Sequence, residues 1–153
     1  MAKRKSANQG FWRFLLVIYG GLMLWLLFGR SNGWQEGVPY LEQVRSSVNL
    51  KPFYTINNYI YAMLHSSSGS LVRHCFINLG GNVLLFIPAG YMLPRLWRKQ
   101  RNFFRFLFTC TGIMLVVEVV QVLTLLGSFD VDDLILNLSG MLIGYLLCVI
   151  TRR

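Results

Sequence analysis

The chain has 153 residues, of which 54% are hydrophobic and 14% charged, with a mean hydropathy of +0.48. Soluble domains carry roughly 25% charged residues, so this composition excludes one and points to an integral membrane protein. The formal net charge of +9 does not indicate a nucleic-acid partner, because the basic residues gather at the edges of apolar runs.

Lys3, Arg4, Lys5 and Arg13 open the first run; Arg95, Arg98, Lys99, Arg101 and Arg105 fill a later connection; Arg152 and Arg153 end the chain. Four crossings put all three groups on one side, which the positive-inside bias makes the cytoplasm, so both termini are expected there. At that face they meet anionic headgroups, first of all as a device that fixes orientation. Cys75, Cys110 and Cys148 lie in apolar segments without CxxC spacing, and His65 and His74 add little to the ligand set. Neither disulfides, a metal nor another cofactor is expected, and the cysteines read as small apolar fillers.

Residues 1–10 form a basic cytoplasmic start, and 11–153 a single four-helix membrane domain. The first run, Phe11–Phe28, is long enough to span, since a crossing needs about 20 residues. A signal peptide is the competing reading, but no A-x-A pattern follows, so a retained helix is expected. Gly20 and Gly21 are either a close helix contact or simply tolerated.

Residues 30–73 make an outer connection far longer than the usual helix–helix loop of about 2–8 residues. Within it, Ile56, Tyr59, Ile60, Met63 and Leu64 fall on one helical face, which predicts a short amphipathic interfacial helix over Thr55–His65. Asn49–Phe53 before it is turn-like, with Pro52 pushing Lys51 out of helical geometry. Ser66–Ser70 reads as a flexible hinge.

The second span covers about His74 to Leu93, with His74, Asn78 and Asn82 at spacings of four and Gly81 on the same stripe. Pro88 removes one backbone hydrogen bond, frees the Leu84 carbonyl and predicts a kink; Pro94 is expected to close the helix. The third span, about Phe106 to Leu126, carries Glu118 and Gln121 on one face. A charged side chain at bilayer depth costs about 2.5–3.5 kcal/mol, so Glu118 must face protein, water or a partner. The fourth begins near Asp132 and aligns Asp133, Asn137, Gly140 and Gly144, the last two a small-xxx-small contact motif. Asp130 and Asp132 read as N-cap and helix-dipole residues.

Along ideal helices, Asn82 lies about 12 Å below His74, Glu118 about 13 Å below Gly127, and Asn137 about 10 Å below Asp130. These depths agree, and they predict an outward-facing polar pocket lined by Asn78, Asn82, Glu118, Gln121, Asp133 and Asn137. The alternative is a packed seam, in which the same groups only bond neighbouring helices, each bond contributing about 0.6–2 kcal/mol.

Four stretches together, Asn49-Leu-x-Pro52-Phe53, Gly81-Asn82-Val-Leu-Leu-Phe86-Ile-Pro88-x-Gly90, Glu118-x-x-Gln121 and Asp130-x-x-Asp133-x-x-x-Asn137-x-x-Gly140-x-x-x-Gly144, resemble the VanZ-like family of small bacterial membrane proteins. The resemblance covers roughly Asn49 to Tyr145 and implies an association with resistance to teicoplanin-type glycopeptide antibiotics. It also implies a multi-pass protein of the bacterial cytoplasmic membrane. Gly81 stands where a basic or acidic neighbour of Asn82 would be expected from the family.

Carboxylates and amides suit sugar hydroxyls and peptide amides in a partly dry site. The expected function is therefore non-enzymatic binding of a membrane lipid, a lipid-linked envelope precursor or the acyl tail of a lipoglycopeptide. Two alternatives stay open. One is an intramembrane hydrolase or transferase acting on lipid-linked substrates, with Glu118 as acid or base and Asp133 or His74 as partner. The other is a proton-coupled transporter subunit, with Glu118 titrating in its pathway.

Overall fold

Lipid offers no partner to backbone N–H and C=O groups, so an apolar run that crosses a bilayer must close its hydrogen bonds within itself. The computed structural model describes residues 2–29 and 35–152, apart from the side chains of 2–8. The expectations for Lys3, Arg4, Lys5, Arg153 and the first part of the long connection lie outside the described residues. In chain order the helices are α1 (Ala2–Phe28), α2 (Tyr40–Ser46), α3 (Tyr54–His65), α4 (Gly69–Leu96), α5 (Phe103–Leu123) and α6 (Val131–Thr151), with a 3₁₀ turn at Arg98–Arg101. Four of them are long and apolar enough to cross a membrane: α1 from Gln9 onward, α4, α5 and α6. The fold is all-α with four candidate spans, as expected, and α3 occupies the place of the helix read into the long connection.

Contacts give the directions. The Tyr19 hydroxyl of α1 donates to the Leu85 carbonyl of α4 at 2.8 Å, in the turn that Pro88 weakens, while the Trp12 ring lies 5.7 Å from that of Tyr91. Those two helices are therefore antiparallel. Gly140 packs on Val83 and Gly144 on Ile87, so α4 and α6 run parallel, with α5 returning between them in sequence. One end of the bundle, the loop end, thus gathers the last turn of α1, the starts of α4 and α6, the end of α5, and both short helices α2 and α3.

The α4–α6 seam is the tightest part of the fold. A Cβ added at Gly90 would strike the Met141 carbonyl, one at Gly140 the Val83 carbonyl, and one at Gly144 the Ile87 carbonyl. Only hydrogen at these positions lets two backbones come so near, and packing of this kind holds membrane helices together in the absence of a hydrophobic drive between them. By contrast, nothing lies within 4 Å of a Cβ placed at Gly20 or Gly21. Within the chain those two glycines make no close helix contact; α1 is held by Tyr19 and by Met23, which joins a core with Phe86, Phe106, Met114, Met141 and Tyr145.

Several helix ends differ from the sequence reading. Pro94 lies inside α4, which runs on to Leu96; Pro94 is buried, and its carbonyl, near the helix end, is taken up by Arg101 and Arg152. Gly69 and Ser70 belong to α4, so the expected serine hinge shrinks to Ser66–Ser68. Helix α5 stops at Leu123 instead of Leu126. There Leu126 N–H bonds the Gln121 carbonyl and Leu125 takes a left-handed φ of 55°, a Schellman-type ending at a position usually held by glycine.

Candidate functional site

Three aspartates within four residues open α6, and one helix start needs only one cap. Asp130 supplies it, with Oδ1 accepting the Asp132 N–H at 2.9 Å. Its other oxygen accepts from Thr55 Oγ1 at 2.6 Å and Asn49 Nδ2 at 3.2 Å. That contact is framed by two short strands, β1 (Val48–Asn49) and β2 (Phe129–Asp130), paired in parallel with Asn49 opposite Asp130. Asn49 in turn accepts the Lys51 N–H at 3.2 Å, the Asx turn behind the turn-like character of that stretch.

Asp132 was expected to serve its own helix but serves another. Its carboxylate, fully buried, accepts the N–H groups of Phe53 at 2.5 Å and Ile56 at 3.0 Å. It therefore caps α3, whose own N-cap residue, Phe53, has no side chain able to do so. A buried carboxylate is compensated here by charge-assisted bonds from a helix N-terminus.

Asp133 makes the third link, accepting from Asn82 Nδ2 of α4 at 2.6 Å. Behind this pair lie Glu118, 3% exposed, and Asn137, 2% exposed and one turn deeper on α6. Glu118 Oε2 accepts the Asp130 N–H at 3.4 Å, a long and weak bond, and Asn137 Oδ1 is buried with no hydrogen-bond partner. The carboxylates of Glu118, Asp130 and Asp133 stand within electrostatic reach of one another. Asn78, Asn82, Asp133 and Tyr59 are half-buried and His74 is exposed, so the cluster grades from a closed floor to an open rim between α3, α4 and α6.

Tyr59 is a member of the rim that its aromatic character concealed. Its phenol is pushed above the ordinary 10.0, first by burial and then by the charges of Asp133, Cys75 and Asp130, and its ring meets His74 edge-on at 6.1 Å. Asn82, Glu118, Asp133 and Asn137 are thus brought together. Gln121 is not part of the group: its amide donates to the Leu27 carbonyl of α1 at 2.8 Å, satisfying an acceptor that a helix end leaves free. Asn78 lies at the rim but turns back along α4 to the His74 carbonyl at 2.9 Å. Among the described residues no cluster of His, Cys, Asp and Glu has the arrangement of a metal site.

A family model described as VanZ/LLP1 matches residues 15–152. The chain belongs to the VanZ/LLP1 family. Together with its four apolar helices, this makes it a VanZ-like membrane protein. No curated protein and no solved structure matches it. Within this VanZ-like chain the residues of the stretches that carried the resemblance divide into three groups. Asn49 and Phe53 are joined to Asp130 and Asp132, an architectural lock between the long connection and α6. Gly90, Gly140 and Gly144 form the α4–α6 seam, and Asn82, Glu118, Asp133 and Asn137 are left as polar groups whose bonding is thin for their burial.

Proposed function

We propose that this VanZ-like protein of the bacterial cytoplasmic membrane binds a lipid or a lipid-linked envelope component, without turning it over, at the polar site of the loop end. Through that binding it alters the response of the cell surface to teicoplanin-type glycopeptides. The observation that supports this reading is the Asn137 carbonyl, buried without a partner beneath the half-exposed Asn82–Asp133 pair. A buried acceptor left empty loses about 1–3 kcal/mol relative to a satisfied one, which a bound hydroxyl, amide or ammonium donor would recover. The acids around it favour such donors and oppose phosphate. The ligand groups this chemistry fits are sugar hydroxyls, peptide amides and amines of an envelope precursor or lipoglycopeptide.

The test is the teicoplanin susceptibility of a sensitive host expressing the protein, with vancomycin as the comparison and membrane abundance measured alongside. Asn82→Ala, Glu118→Gln and Asp133→Asn are expected to remove any protection at unchanged abundance, whereas Gln121→Ala, turned toward α1, retains it. Protection that survives all three substitutions defeats the reading.

A further inference from the structure

All six carboxylate side chains, Glu36, Glu42, Glu118, Asp130, Asp132 and Asp133, belong to the loop end or the connections beside it. At the opposite end stand Arg95, Arg98, Lys99, Arg101, Arg105 and Arg152, with no acidic side chain among the described residues there. Among the described residues, cations in that position find no carboxylate side chain to pair with.

Two of them converge instead of spreading apart. Arg101 Nε donates to the Pro94 carbonyl at 3.4 Å and Arg152 Nη1 to the same oxygen at 3.2 Å. Two guanidiniums sharing one neutral acceptor keep most of their donors free and repel each other. Arg101 is held below its ordinary value by burial, then by Arg152 and Arg98. The backbone beneath is fixed, because the Tyr145 hydroxyl donates to the Arg101 carbonyl at 2.7 Å. Between them opens a cleft of about 320 Å³ lined by Pro94, Arg101, Tyr145, Cys148, Val149 and Arg152. Arg95 backs the same corner: it donates to Thr151 Oγ1 at 3.3 Å, lies over the Tyr91 ring at 4.6 Å, and keeps a buried Nε without a partner. The wall of the cleft continues along α6 into exposed Val149, Leu146 and Ile150.

We propose that this cleft is a phosphate site, in which Arg101 and Arg152 grip a phosphate oxyanion from the two sides. Planar guanidinium forks match the spacing of phosphate oxygens, and two forks on one anion relieve the repulsion between them. The apolar track leaving the cleft along α6 suits the acyl chains of an anionic phospholipid. Free phosphate presents the same oxygens without the chains. The site is independent of the loop-end reading, which concerns donor groups at the other end of the bundle.

The experiment uses the full chain in neutral detergent and follows its thermal unfolding midpoint during titration with three probes: a short-chain phosphatidylglycerol, the matching phosphatidylcholine, and inorganic phosphate. Saturable stabilisation by phosphatidylglycerol is expected, with half-saturation at least about tenfold weaker in Arg101→Gln/Arg152→Gln. Arg98→Gln/Lys99→Gln, which removes equal charge outside the cleft, behaves as the unaltered chain. Arg101→Lys/Arg152→Lys keeps charge without the fork and falls between the two, which preserves the test if the glutamine pair does not fold. Saturation by inorganic phosphate at the same concentration as the lipid supports the site and assigns it to the free ion. Equal losses in the two glutamine pairs, equal response to phosphatidylcholine, or no saturable effect on the unaltered chain overturns the proposal.

Discussion

Asp132 holds Phe53 in a left-handed conformation. The first turn of α6 reaches back to the long connection, where the carboxylate accepts the Phe53 N–H at 2.5 Å while Phe53 sits at a φ of 62°. A side chain in that region costs about 1–2 kcal/mol, so the bond is part of what keeps the turn in place. Asp132→Ala removes the acceptor of both N–H groups at the α3 start and is expected to lower stability by about 2–4 kcal/mol, read as a fall in the thermal unfolding midpoint. Phe53→Gly is expected to be better tolerated than Phe53→Ala by about 1 kcal/mol, since alanine loses the ring yet keeps the Cβ strain. The reverse order would mean that the chain entropy glycine loses on folding, not relief of backbone strain, dominates at this position.

The glycines separate into two sets that the same substitution distinguishes. At Gly90, Gly140 and Gly144 an added Cβ meets a backbone carbonyl of the facing helix, which cannot turn aside. Alanine there forces α4 and α6 apart and is expected to destabilise by about 1–3 kcal/mol or more at each site. At Gly80, Gly81 and Gly112 nothing lies within 4 Å of the new atom. Alanine there gains helix propensity and is expected to be neutral or stabilising by up to about 1 kcal/mol. Unfolding midpoints of the six single variants in one detergent check both halves.

The architecture was legible because apolar length and the placement of Lys and Arg act locally, so four spans could be read without any tertiary knowledge. Helix ends were less so. The close of α5 rests on a left-handed leucine, and α4 runs two residues past Pro94, whose carbonyl at the helix end meets Arg101 and Arg152. At the site, Glu118, Asn82, Asp133 and Asn137 were readable from depth along ideal helices, since burial of polar groups follows from where the spans begin. Gln121 and the second role of Asp132 were not, as their partners, Leu27 and Phe53, become neighbours only once α1 and α3 are docked. Tyr59 was hidden by period: an aromatic on the apolar face of a short helix reads as packing.

Tyr59 offers a pH-dependent check on the docking of α3. Its phenol is raised above 10.0 in the folded chain by burial and by the nearby charges of Asp133, Cys75 and Asp130. An acid whose folded value is raised favours the folded state while it stays neutral, so its contribution is full below 10.0 and stability is lost as pH rises past that value. Tyr59→Phe is expected to flatten the alkaline limb of the stability profile without altering the plateau near neutrality. An unchanged slope above that pH would place the phenol in water, away from Asp133.

Asn137 separates a binding site from a structural seam. Its carbonyl is buried and unbonded, so Asn137→Leu, which keeps the same branched skeleton of heavy atoms, deletes an unsatisfied acceptor and fills the space with hydrocarbon. On structural grounds alone the change is expected to be neutral or to stabilise by about 1 kcal/mol, since removing a buried group that has no partner releases its desolvation penalty. If the loop end binds a ligand through that carbonyl, the same variant loses any protective effect against teicoplanin while its unfolding midpoint is unchanged or higher. A seam predicts a different pair of results. Were Asn137 bonded to a neighbouring helix in the membrane, leucine would strand the partner and lower the midpoint by about 1–3 kcal/mol, with any loss of protection following from lost folded protein. Measuring midpoint, abundance and susceptibility on one variant therefore distinguishes the two, because only a ligand site lets stability and function move in opposite directions.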